Sequence, residues 1–201
     1  MRPKRKSYTL AAASVTGYLS NATGATWTLS STAGPVDGTA HLVTIKGDAV
    51  TDHSGKTAVI TGTDANGNAQ TETIAALPNG ATTVTSTKYF KTVTGVVPSA
   101  TIGADTMDIG WAAACATPSY IVDQYRISPA NIGVTVGGTV TYTAQQTLTD
   151  PFTTNAPLWG TLIASGGTSA IAAGNQGATA FRVIVSAHTS GTLDIDYTQG
   201  R

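Results

Sequence analysis

What this chain has least of is charge: only 11% of its 201 residues are charged, eleven basic against eleven acidic, and aromatic residues reach only 6%. A broad basic face for a nucleic-acid backbone is therefore excluded. The single cysteine, Cys115, has no partner for an internal disulfide or a cysteine-based metal centre, so it reads as a small buried apolar residue. No run approaches the roughly 18 apolar residues that a membrane-spanning helix needs. Leu, Glu, Lys and Arg are scarce, and no stretch keeps apolar residues at three-and-four spacing, so little helix is expected. What is abundant is Thr, with 37 residues, and Gly, with 22. β-Branched side chains suit a pleated sheet and Gly suits turns. With 41% hydrophobic residues and zero net charge, the composition is that of a folded all-β protein rather than a disordered one.

The charge that exists is unevenly placed. Arg2, Lys4, Arg5 and Lys6 fall within the first six positions, leaving residues 7–201 with seven basic and eleven acidic side chains, a net of −4. The chain reads as a mildly acidic body with a basic N-terminal arm. Tyr8 to Val15 resembles the apolar part of a secretory leader, but Thr and Ser interrupt it and it holds one Leu, so the arm is expected to be retained. Arg2, Lys4, Arg5, Lys6 and Tyr8 are the candidate partner-binding residues, held by a neighbouring subunit. Four charges without a further basic patch argue against direct nucleic-acid binding.

Along the chain, Ala11 to Thr26 reads as an extended connector or edge strand. Strands are expected at 26–29, 40–46, 57–63, 70–75, 82–87, 89–97 and 106–111, with Asn66-Gly67 as a strong hairpin signal. Small residues and a proline in Ala112 to Pro118 read as a linker. Beyond it, strands are expected at 120–128, 132–136, 139–146, 158–163, 169–173, 180–187 and 191–197. In the last, Leu193 and Ile195 point to a core while Asp194 and Asp196 point to solvent. The expected organisation is an arm and connector over 1–25, a β-domain over 26–112, a linker over 113–118 and a second β-domain over 119–201. Each domain is expected to be a small antiparallel sandwich or barrel-like unit.

No motif for catalysis or metal binding emerges. Asp194 and Asp196 share a solvated strand face, and neither they nor Asp105 with Asp108 form a cleft pair by sequence. Asp64 to Ala69 starts like a calcium loop, but Ala69 and Ala75 occupy the positions that need Gly and Glu. His41, His53 and His188 lie far apart, and no Gly-x-Ser-x-Gly elbow accompanies them. Ala164 to Gly167 lacks the Lys of a phosphate loop. Trp27 and Trp111 are expected in a core.

The segments Val59 to Asn68, Thr71-Glu-Thr73 and Thr85 to Thr94 resemble a β-domain recurrent in structural proteins of tailed bacteriophages. Gly138 to Thr147, Asp150-Pro-Phe152 and Gly191 to Gly200 look like a second such domain. The resemblance implies a virion component and brings no catalytic residue with it; the basic arm and exposed strand edges make a capsid decoration or cement protein, non-enzymatic and without cofactor, the leading expectation. It would bind the major coat protein or other virion subunits and form a homo-oligomer. A neck or tail accessory ring or fibre-attachment protein is the alternative within the virion. A receptor- or carbohydrate-binding module, with Tyr89, Phe90, Phe152 and Trp159 as its platform, is the alternative outside it.

Overall fold

The computed structural model describes residues 4–48, 50–123, 130–152, 157–174 and 177–199. Among them there is no helix. Thirteen strands follow in chain order: β1 (Lys4–Thr9), β2 (Ser14–Ala22), β3 (Ala40–Gly47), β4 (Ala58–Thr63), β5 (Ala69–Ile74), β6 (Thr83–Phe90), β7 (Thr92–Pro98), β8 (Met107–Ala116), β9 (Tyr120–Ile121), β10 (Ala130–Thr147), β11 (Trp159–Gly166), β12 (Ala170–Ala173) and β13 (Ala180–Gln199). The strands form two antiparallel sheets, of ten and three, neither closed into a barrel.

The chain divides into two compact units. One contains 13–36 and 40–113 of the described residues. In it β3 pairs with β6 and β8, β2 pairs with β8, and β4 lies between β5 and β7 in the three-stranded sheet. Alternation supplies one apolar face per sheet. Val43 and Ile45 of β3, with Met107 and Ile109 of β8, share a core with Ala58 and Ile60 of β4 and Val93 and Val96 of β7. This is a sandwich-like arrangement. The Asn66-Gly67 hairpin joins β4 to β5, and Gly67 takes a φ of +90° that favours glycine.

The other unit contains 4–12, 37–39 and 114–199. Its frame is the pair β10 and β13, which runs from Ala130 opposite Gln199 to Thr147 opposite Ala180 with two register shifts on the way. Ile132, Val134, Tyr142, Phe181, Val183, Val185, Leu193 and Ile195 fill its core. β11 and β12 line the free side of β10, while β1, the end of β8 and β9 line that of β13.

Several boundaries differ from the sequence expectation. The linker expected at 113–118 is occupied by β8 as far as Ala116, with Cys115, Ala116 and Thr117 buried. Small side chains blur the alternation, but backbone hydrogen bonding continues the strand regardless. The arm and connector expected over 1–25 contain β1 and β2, which belong to different units. Residues 26–29 form no strand, although Trp27 is buried. β9 covers only the start of the segment expected at 120–128, and 124–129 lie outside the described residues. β10 and β13 each merge two expected strands. Gly138, at φ +86°, passes close to the Ser190 carbonyl, and register shifts between Thr139 and Val140 and between Thr141 and Tyr142 absorb the irregularity as bulges.

Candidate functional site

The sequence-selected arm residues lie on β1, apart from Arg2, which is outside the described residues. β1 pairs with 192–197 of β13 without a register shift, Lys4 opposite Tyr197 and Thr9 opposite Thr192. A bond from the Leu10 N–H to the Gly191 carbonyl, 3.1 Å, extends the ladder. Strand alternation places Arg5 and Ser7 beside Asp196 and Asp194, and turns Lys4, Lys6 and Tyr8 to the other face. Lys4 to Thr9 are therefore a paired strand of the chain's own sheet.

Arg5 donates from Nε and Nη2 to the two carboxylate oxygens of Asp196, at 2.9 and 2.8 Å. This fork geometry holds Asp196 below the usual carboxylate range and raises Arg5. Tyr8 is buried, and its hydroxyl shares a 2.5 Å hydrogen bond with that of Tyr120. Burial pushes both phenols above their ordinary value. Tyr120 packs at a tilt on Tyr197, with ring centres 5.1 Å apart, and Lys4 Nζ lies 5.8 Å from the Tyr197 ring centre. Lys6 is exposed. Leu193 and Ile195 are fully buried, as alternation requires, but Asp196 faces Arg5 and not solvent alone.

A second polar cluster was not legible in sequence. His53 Nε2 and Asp105 Oδ2 are 2.8 Å apart, and Lys56 Nζ lies 2.8 Å from His53 Nδ1. An ammonium only donates, so Nδ1 accepts and Nε2 donates to Asp105. Hydrogen bonds from the Thr51 side chain and from His53 hold Asp105 below its usual range. Both imidazole nitrogens are thereby engaged within the chain. The cluster fastens a loop that also bonds to the next turn, through His53 N–H to Pro78 O and Gly80 N–H to Thr51 O, each 3.1 Å. His53 and Asp105 lie 52 positions apart, and no local signal joins them.

The Asp64 carboxylate accepts bonds from the backbone N–H groups of Asn66 and Asn68 and from the Asn68 side chain, turning inward on its own hairpin. His41 Nδ1 lies 2.8 Å from the Ala112 carbonyl oxygen. His188 is buried, and neither ring nitrogen has a partner among the described residues. Cys115 is fully buried, which pushes its thiol up to about 12. Trp27 is buried, and Trp111 is partly buried edge-on to Tyr18 at 5.3 Å.

Of the four proposed platform aromatics, Phe90 is fully buried in a core and is corrected from that role, because alternation turns it inward. Tyr89 shares its unit. Trp159 borders an open recess of about 540 Å³ lined also by Gln146, Leu148, Thr149, Leu158 and Gly160. Leu158 and Leu148 are 84% and 66% exposed, and Phe152 is 46% exposed. The Arg182 guanidinium lies 4.0 Å from the Trp159 ring centre, covering one face where a sugar would stack, and its Nε donates to Gln145.

Compared with protein-family models, curated proteins and solved structures, the chain finds no match.

Proposed function

We propose that this chain is a non-enzymatic structural protein of a tailed-phage virion, decorating an assembled shell through contacts with the major coat protein or other virion subunits. The observation that supports it is the use made of charge. Arg5 with Asp196, Lys56 with His53 and Asp105, and Asp64 with its own turn each fasten segments of the chain together. None of these clusters presents an unengaged acid and base to a common cleft, as hydrolytic chemistry would need. A rigid strand ladder held in this way suits a part that works by surface area and copy number.

Quantitative mass spectrometry of intact particles tests the reading. Copies in a fixed small ratio to the coat protein support shell decoration. A single ring's worth of copies moves the protein to the neck or tail, and its absence from particles overturns the virion role.

The Trp159 recess favours a second reading, a receptor- or carbohydrate-binding module. That reading requires glycan or receptor binding that is lost in Trp159→Ala with the fold intact.

A further inference from the structure

We propose that β1 is exchanged between copies, the strand of one chain pairing with β13 of a second and the second returning its own. Residues 4–12 belong to the unit built on β10 and β13, yet the chain leaves that unit at Ala12–Ala13 and runs through 13–36 of the other. β1 is thus tied to its sheet by hydrogen bonds and side chains, without the short covalent turn that tethers a hairpin strand to its neighbour. Ala12 and Ala13, where the path would change, are exposed and carry no side chain beyond a methyl group.

The seat on β13 is selective. With the adjoining β9 it offers the Asp196 carboxylate to a cation and the Tyr120 hydroxyl to a buried phenol, and Leu193 and Ile195 form its buried face. A second copy's β1 matches that set residue for residue. The strand contacts are the same in either connection, so exchange leaves the ladder intact and alters only the connector and the cost of association. Left bare, the edge of β13 would present unpaired backbone groups, which a second copy's β1 covers. The exchange requires no virion and stands apart from the function proposed above.

Two full-length variants test it, Arg5→Asp and Asp196→Arg. Each alone opposes like charges whether the strand stays or is exchanged. In an equimolar mixture, complementary charges meet only when strands cross between the two chains. After joint refolding, light scattering is expected to show a species of twice the monomer mass in the mixture, with the parent's thermal stability. The inference is overturned if the mixture behaves as the sum of its components while the chain carrying both substitutions melts like the parent.

Should a single variant fail to fold, Ser7→Cys with Asp194→Cys, a facing pair in the β1–β13 register, gives a second measurement. The buried Cys115 stays out of the reaction. Covalent dimers with a short thiol cross-linker support exchange, and intramolecular closure alone rules it out.

Discussion

Arg5 and Asp196, 191 positions apart, face each other across β1 and β13 and share two parallel hydrogen bonds. The contact is solvent-exposed, so its weight is in registration more than in energy. It carries a pH signature. Asp196 is held low in the folded chain, so its contribution is complete above the unfolded carboxylate value of about 4 and is lost as pH falls through the lower folded value. We expect Asp196→Asn to flatten this part of the acid limb in denaturant midpoints measured from neutral to acid pH. Parallel acid limbs in parent and variant would show that the pair adds nothing.

Tyr8 is the main apolar anchor of β1. Tyr8→Phe removes one hydroxyl of a buried pair and should cost about 1 kcal/mol, because Tyr120 retains a bond to the Thr117 side chain. Tyr8→Ala empties the site and should cost about 3–5 kcal/mol. Urea unfolding at neutral pH measures both, and equal losses would place the energy in the hydrogen bond rather than in packing. Folding raises both phenols, so this contribution is complete below their unfolded value of about 10 and declines as pH rises through the folded values.

His188, opposite Val140 at a bulge in β13, is buried with both ring nitrogens unpartnered among the described residues. Replacing an unsatisfied buried polar group by an apolar one of similar size is neutral or favourable. His188→Leu should therefore leave stability unchanged or raise it by about 1 kcal/mol in thermal or denaturant melts. A loss above about 2 kcal/mol would reveal a polar partner for the ring.

Gly62 of β4 and Gly95 of β7 lie on neighbouring strands of the three-stranded sheet, Gly62 opposite Val93 and Gly95 opposite Thr61. A Cβ on Gly62 would collide with the Thr92 backbone carbonyl, whereas one on Gly95 meets nothing within 4 Å. Gly62→Ala should cost about 2 kcal/mol or more, and Gly95→Ala should stay within about 0.5 kcal/mol of the parent. Similar melting temperatures for the two variants would contradict the close approach of β4 and β7 at Gly62.

Much of the fold was legible in local pattern. Thr and Val runs marked β3, β4, β6 and β7, Asn66-Gly67 marked the β4–β5 turn, and the alternation of Leu193 and Ile195 identified a core face. Merged strands were misread because Gly137-Gly138 in β10 and the Ser190-Gly191 stretch of β13 look like turns when taken alone. Paired across the ladder, they are the places where two long strands approach closely and bulge. Of the candidate site, the basic cluster was visible and its acidic partner was not. Lys4-Arg5-Lys6 and Asp194-Ile195-Asp196 are separate alternating patterns until the register sets Arg5 opposite Asp196.

The sequence by itself determined that the protein is all-β and that Cys115 is a buried apolar residue, because these follow from composition and period-two alternation. Only the tertiary structure decided that β1 belongs to a unit whose main body begins about a hundred residues later at Ala114, that β8 continues through the expected linker, and that His53 meets Asp105 and Lys56. Pairing partners in antiparallel sheets are chosen by non-local register and burial, and a single strand's own residues do not encode which distant edge will receive it.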